Sequence, residues 1–173
     1  MAIKLDKCVI MLTPKCGTGW IREVFKKEMT IIGDTKGNRV HSPLHKTDTQ
    51  GLFTIGLVRN PLTWLQSLWS YWTTHGWPTH DDKFASCKCS TFHGFAEKVV
   101  QLHPGAITDT FKTFVGEPGE IGYICKQENL REDLKQAFKI AGQEYNEEVI
   151  NNKPKFNFSK HNTGYTAELA KSV

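Results

Sequence analysis

Two short runs of the sequence are almost entirely apolar and lack the polar–apolar alternation of a half-buried strand. They cover residues 7–12 and 52–58. Uninterrupted apolar strands are typical of parallel sheets, because helices cover both faces of such a sheet. Amphipathic stretches alternate with the apolar runs, as they do in α/β proteins. We therefore predict a three-layer α/β fold in which helices flank a central, mostly parallel sheet of about four to five strands.

Periodicity and helix-boundary residues place the remaining elements. Asn60 and Pro61 should begin a helix, because Asn is a good helix cap and Pro is favoured at the first helical position. Further strands are predicted at 29–32 and 121–125, and helices at 19–27, 61–72, 92–102, 107–115 and 129–141.

Length and composition predict one globular domain over residues 1–173. The longest purely apolar run, Cys8 to Leu12, is far shorter than the ~20 residues of a membrane span. No secretory signal is apparent and the five cysteines are an odd number, so we expect reduced thiols in a cytoplasmic protein that does not bind membranes. The net charge of +4 is dispersed, which disfavours nucleic-acid binding and suits a small anionic ligand.

The segment Pro14–Trp20 follows the first apolar strand and leads into a predicted helix. Free backbone N–H groups at the start of a helix attract anions. Gly17 and Gly19 allow a ligand close to the backbone, Thr18 adds a hydroxyl, and Lys15 adds a positive charge. The kinase-type motif G-x-x-x-x-G-K-[ST] is absent, because this lysine precedes the glycines. The segment therefore predicts an anion site of another kind.

Arg59 ends the second apolar strand, at the edge where open α/β sheets bind ligands. Its planar guanidinium suits a phosphate. Ser67 shares a face of the following helix with Asn60 and Thr63. Its hydroxyl can therefore point towards the edge of the sheet at which Arg59 lies. Two turns suited to anions therefore follow two predicted strands.

The order and spacing of these residues resemble those of sulfotransferases. Pro14–Trp20 is similar to the loop that binds the 5′-phosphosulfate in that family, usually P-K-[SA]-G-T-[TS]-[WF]. Arg59 and Ser67 are similar to the 3′-phosphate motif, in which R-[DN]-P is separated from S by five residues. Residues 123–134 and 157–169 resemble, more weakly, the family's E-[DN]-L-x-x-D-L and N-x-S … Y-T-x-E-L segments. The resemblance covers most of the chain apart from residues 73–90.

The resemblance implies a P-loop-like fold and metal-free transfer of a sulfuryl group from 3′-phosphoadenosine 5′-phosphosulfate (PAPS). The acceptor would be a hydroxyl or amine of a small molecule or glycan. By position, Lys15 should contact the 5′-phosphosulfate and stabilise charge on the leaving oxygen, while Arg59 and Ser67 hold the 3′-phosphate. The other donor-binding positions that it implies are Cys16, Gly17, Thr18, Gly19, Trp20, Ser159 and Lys160. Cys16 and Gly19 depart from the usual family residues, but neither change removes a cation.

Sulfuryl transfer needs a base for the acceptor proton, and histidine suits that role near neutral pH. His41 and His45 precede the second apolar strand, and related enzymes often place a catalytic histidine between the two phosphate motifs. We favour His41, with His45 next. Glu23, on the helix after Lys15, is the third candidate.

Residues 73–90 form the longest polar segment and are predicted to be a mobile loop on the acceptor side. Cys87 and Cys89 lie in it, but their spacing is not that of a familiar zinc module, so we predict no metal. Trp69 and Trp72 fall on one helical face, which indicates core packing.

Two alternative functions stay open. A nucleotide kinase is disfavoured by the position of Lys15 and by the lack of a Gly-Lys-Ser/Thr magnesium ligand. A non-catalytic binder of PAPS or its desulfated product would keep Lys15 and Arg59 without needing a base. The sequence does not predict the oligomeric state.

Overall fold

The computed structural model describes residues 2–33, 41–79 and 83–154, which form an α/β structure. The described strands are β1 (Ala2–Lys4), β2 (Cys8–Met11), β3 (Thr30–Ile32), β4 (Phe53–Val58) and β5 (Tyr123–Lys126). The described helices are α1 (Thr18–Val24), α2 (Pro61–His75), α3 (Phe92–Leu102), α4 (Ala106–Val115), α5 (Leu130–Ala141) and α6 (Glu147–Asn152). None of these helices is long and apolar enough to cross a bilayer. The predicted α/β class and strand number are confirmed.

The five strands form one mixed sheet in the order β3-β1-β2-β4-β5. β4 pairs in parallel with both β2 and β5, whereas β1 pairs antiparallel with both β2 and β3. β1 therefore runs opposite to the other four strands, and the prediction of a mostly parallel sheet is wrong. The physical reason is a tight connection after β1, in which the Leu5 amide donates to the Cys8 carbonyl (2.9 Å) and turns the chain straight back.

The described residues divide into two compact units. The first contains residues 2–33, 41–59 and 110–154, and so the whole sheet with α1, α5 and α6. The second contains residues 60–79 and 83–109, with α2 and α3. The boundary falls within α4. That residues 1–173 form a single domain stays a prediction.

The core of the first unit lies around the two apolar runs of the sequence. Ile10 in β2 and Ile55 and Leu57 in β4 are fully buried. Leu134 and Phe138, on one face of α5, are also fully buried. The burial of all of β2 and of the centre of β4 explains why these strands are apolar without alternation, because both faces are covered there.

In the second unit, α2 begins as its sequence predicts. The Asn60 side chain accepts hydrogen bonds from the amides of Leu62 (3.0 Å) and Thr63 (3.4 Å), and Pro61 is the first helical residue. The helix continues to His75, three residues into the predicted acceptor-side loop. Trp69 and Trp72 are only 7% and 8% exposed, which confirms their place in the core.

The described part of the 73–90 segment packs against its own unit. The Trp69 indole N–H donates to the Cys89 carbonyl (3.2 Å), and Phe84 and Cys87 are buried. Mobility of this segment stays a prediction. All five cysteines of the chain are free thiols, as expected.

Candidate functional site

Residues 13–19, here called the Lys15 loop, connect β2 to α1 and include the first two residues of α1. The loop begins with a tight turn. The Cys16 amide donates to the Thr13 carbonyl (3.3 Å), which places Pro14 and Lys15 at the two central positions of the turn. Lys15 has φ +61°. Proline fixes φ near −65°, so these signs match a type II turn, whose second central position normally favours Gly or Asn. Lys15 therefore occupies a backbone conformation that a lysine rarely adopts.

The start of α1 presents backbone donors. Gly17 precedes the helix in the left-handed conformation (φ +84°), and no side chain in the described part of the chain caps the helix. Within the described residues, the amides of residues 17–20 donate no hydrogen bond. Glycine suits this left-handed position, and a Cβ there would also lie 2.8 Å from Leu130 Cδ2 at the start of α5, so that side chain would have to shift.

Lys15 and Arg59 lie together although they are 44 positions apart in sequence. An Arg59 guanidinium N–H donates to the Lys15 carbonyl oxygen (3.2 Å). Parallel pairing of β2 with β4 causes this proximity, because both strands end at the same edge of the sheet. Burial, and then the positive charge of Arg59, lower the pKa of the Lys15 ammonium below its usual value. An anion bound here would relieve the repulsion between the two cations.

Two of the predicted donor-binding side chains are directed into the protein. The Cys16 thiol is fully buried, and burial raises its pKa well above the usual range. Trp20 is 6% exposed; its indole N–H donates to the Lys153 carbonyl (3.2 Å) and its ring faces the Arg131 guanidinium at 5.8 Å. Both side chains contribute to the packing beneath the Lys15 loop and α1. Neither has a hydroxyl that could bind a ligand.

His41 is a half-buried histidine with a fixed ring orientation. Its Nδ1 lies 2.6 Å from the Leu12 carbonyl oxygen, and its ring meets Phe114 edge-on at 6.1 Å. A carbonyl can only accept, so Nδ1 carries the proton and Nε2 of the neutral ring keeps its lone pair. Burial is the main cause that lowers the pKa of His41 below 6.5, and nearby positive charges, Lys15 among them, add to it. His41 is therefore built to stay neutral with Nε2 available as a proton acceptor.

The other two base candidates lie in different surroundings. His45 is exposed on a short 3₁₀ turn and lines a shallow surface depression with Lys112 and Glu117. Glu23 is exposed on α1, and its carboxylate lies 3.8 Å from the Lys153 ammonium. Neither side chain has the buried, hydrogen-bonded setting of His41.

The remaining predicted residues are placed as follows. Thr18 and Gly19 are half-buried in the first turn of α1. Ser67 is 7% exposed on α2 in the second unit. Ser159 and Lys160 lie outside the described residues. Within the ranges that the structure describes, no group of three or more His, Cys, Asp or Glu could hold a metal ion.

Sequence reasoning missed two residues of this region. Thr13 Oγ1 is fully buried at the start of the Lys15 loop and has no hydrogen-bond partner in the described part of the chain. Arg131 donates to the Lys153 carbonyl (2.6 Å), which ties the end of α6 to α5 beside Trp20. Neither the burial of Thr13 nor the contact of Arg131 has a local sequence signal, because each depends on segments that are distant along the chain.

The sequence and structure were also compared with known proteins. No family model, no curated protein and no solved structure matches this chain.

Proposed function

We propose that this protein is a PAPS-dependent sulfotransferase with a three-layer P-loop-like fold. It would transfer a sulfuryl group to a hydroxyl or amine of a small molecule or glycan. The proposal draws on the motif resemblance of the sequence and on the geometry around Lys15.

The observation that carries the proposal is the contact between Arg59 and Lys15 at the edge where β2 and β4 end. PAPS has an anionic group at each end. This edge offers two cations together with the amides of residues 17–20, which donate no hydrogen bond to any residue that the structure describes. The amides and Lys15 suit the 5′-phosphosulfate, and Arg59 suits the 3′-phosphate. The residues present therefore fit a nucleotide with two separate anionic groups.

In this reaction the donor supplies the sulfuryl group: the bond from the acceptor atom to sulfur forms as the bond from sulfur to the bridging phosphosulfate oxygen breaks. The Lys15 ammonium stabilises the charge that develops on that bridging oxygen. The amides of Gly17, Thr18 and Gly19 hold the 5′-phosphate and fix its orientation. These groups act through charge and orientation, so the proposed mechanism uses no metal.

His41 takes the acceptor proton in this mechanism. Its Nε2 lone pair can accept the proton, since Nδ1–H donates a hydrogen bond to the Leu12 carbonyl. The low pKa keeps the ring neutral at physiological pH. The fixed ring orientation favours His41 over His45 and Glu23 as the base.

Calorimetry with 3′-phosphoadenosine 5′-phosphate tests the donor site. We expect binding to the wild type and a loss of affinity of about tenfold or more in Arg59→Ala, since a charged hydrogen bond contributes ~1.5–3 kcal/mol. Lys139→Ala, at an exposed position of α5, is the matched control for loss of one positive charge and should bind normally. Equal binding by Arg59→Ala and wild type would remove the donor-site assignment.

Two further measurements separate the alternatives. ATP with magnesium should not displace the nucleotide; displacement would favour a kinase. Acceptors screened with ³⁵S-labelled PAPS should include at least one that becomes labelled. Nucleotide binding with no labelled acceptor and no donor turnover would favour a non-catalytic binder.

A further inference from the structure

The backbone of Lys15 needs support from the rest of the protein. At the second central position of the Thr13–Cys16 turn, Lys15 has φ +61°, which a residue with a Cβ rarely adopts. A strained conformation persists where its surroundings hold it in place. A glycine would adopt it readily but would lack the ammonium group. A contact elsewhere must therefore stabilise this turn.

Arg59 makes such a contact. Its guanidinium donates to the Lys15 carbonyl oxygen, while the turn's own hydrogen bond uses the Thr13 carbonyl. Arg59 thus holds a different peptide group from the one held by the turn's own hydrogen bond. The contact joins the end of β4 to the loop that follows β2, and parallel pairing of the two strands positions it.

The contact also orients the groups that follow in the chain. The Lys15 carbonyl belongs to the peptide unit that leads into Cys16, and Gly17 comes next as the cap of α1. A change in the Lys15 conformation would redirect the amides of residues 17–20. The guanidinium has five N–H donors, so a bond to this carbonyl is compatible with a simultaneous contact to an anion.

We infer that Arg59 is a positioning residue for the Lys15 loop as well as a contact for the 3′-phosphate. It holds Lys15 in its left-handed conformation and so prepares the loop for the 5′ end of the nucleotide. This inference rests on the proposed function for the identity of the ligand. Arg59 should therefore increase the affinity even for a ligand that has no 3′-phosphate.

Arg59→Lys is the variant that separates the two roles, because it keeps the positive charge and loses the planar fork. Adenosine 5′-phosphosulfate, which lacks the 3′-phosphate, is the probe. We expect Arg59→Lys to bind it about tenfold more weakly than the wild type, while Lys139→Ala, at an exposed position of α5, binds it normally. If Arg59→Lys weakens binding of 3′-phosphoadenosine 5′-phosphate alone, Arg59 acts on the 3′-phosphate only and the inference is wrong.

A second measurement needs no ligand. Cys16 and Cys8 are both fully buried, and Cys16 lies in the Lys15 loop whereas Cys8 lies in β2. Alkylation by iodoacetamide, followed residue by residue with mass spectrometry, should be about tenfold faster at Cys16 in Arg59→Lys, with Cys8 unchanged. Lys139→Ala should leave both rates unchanged. An unchanged ratio of the Cys16 rate to the Cys8 rate would overturn the inference.

The two measurements distinguish the possible failures. If the wild type binds neither nucleotide, the proposed function fails, and the alkylation ratio still decides whether Arg59 holds the loop. If Arg59→Lys does not fold, Arg59→Gln keeps one N–H donor group on a shorter side chain and is assayed in the same way.

Discussion

The Nδ1 atom of His41 lies 2.6 Å from the carbonyl oxygen of Leu12, the residue that follows β2. This contact sets the tautomer of the ring. A neutral imidazole has one N–H group, and the carbonyl can only accept a hydrogen bond, so the N–H group is at Nδ1. It also ties the segment that precedes β4 to the end of β2. The bond and the burial of the ring together distinguish His41 from His45, four residues later.

The first prediction concerns stability at acid pH. Burial lowers the pKa of His41 in the folded protein, so just below pH 6.5 the unfolded chain binds a proton that the folded chain does not. The free energy of unfolding should therefore fall as pH decreases through this window, by up to ~1.4 kcal/mol per pH unit from His41 alone. Urea unfolding between pH 5 and 7 measures it. His41→Asn should flatten this slope; equal slopes for His41→Asn and wild type would contradict the assignment.

The second prediction concerns turnover. His41→Asn keeps a polar group near the Leu12 carbonyl but cannot take the acceptor proton. We expect kcat to fall by about 10²–10⁴-fold with little change in affinity for 3′-phosphoadenosine 5′-phosphate. Sulfuryl transfer to an acceptor found in the labelling screen measures kcat. If His41→Asn has normal turnover, the catalytic base is His45 or Glu23 instead. Measurement of kcat for variants of those two residues then decides between them.

The third prediction concerns ligand binding at alkaline pH. The pKa of Lys15 lies below its usual 10.5 because of burial and the charge of Arg59, so Lys15 loses its proton earlier than an exposed lysine. Affinity for 3′-phosphoadenosine 5′-phosphate should therefore decrease as pH rises towards 10.5, and the decrease should begin at a lower pH than it would with an exposed lysine. Lys15→Arg, which stays charged, should show a smaller decrease. Titration calorimetry at several pH values checks this, and identical pH profiles would exclude a role for the Lys15 charge.

The fourth prediction concerns packing beneath the Lys15 loop. Gly17 and Gly142 both adopt left-handed conformations, but a Cβ at Gly17 would lie 2.8 Å from Leu130 Cδ2, whereas a Cβ at Gly142 would have no atom within 4 Å. Alanine at either position should cost ~1–2 kcal/mol for the backbone conformation, and Gly17→Ala should cost more. Urea unfolding compares the two variants. Adding Leu130→Ala should bring the cost of Gly17→Ala close to that of Gly142→Ala; no such change would mean that the contact is not responsible.

Local sequence signals predicted much of the fold. The apolar runs identified β2 and β4, and the Asn60–Pro61 pair gave the start of α2 at the correct residue. β1 was missed, since three residues carry no usable pattern. β1 exists because β2 and β3 supply hydrogen-bond partners on both of its sides. Its reversed direction is what makes the sheet mixed.

Within the candidate site, the sequence indicated which residues carry charge but not how they meet. Lys15 and Arg59 were singled out from motif and position, yet their hydrogen bond depends on the pairing of β2 with β4. Cys16 and Trp20 belong to the same motif, and the structure buries both side chains. Thr13 and Arg131 have no distinguishing local pattern, so their burial and contacts could not be predicted.

The sequence by itself determined the α/β class, the two apolar strands β2 and β4 and the cationic turns after them, because apolar runs, caps and glycine positions act over a few residues. The tertiary structure alone decided the direction of β1, the Arg59 support of the Lys15 turn and the different surroundings of His41 and His45. Those features depend on contacts between segments tens of residues apart. Strand pairing and burial bring such segments together, and a local pattern does not encode which partners will meet.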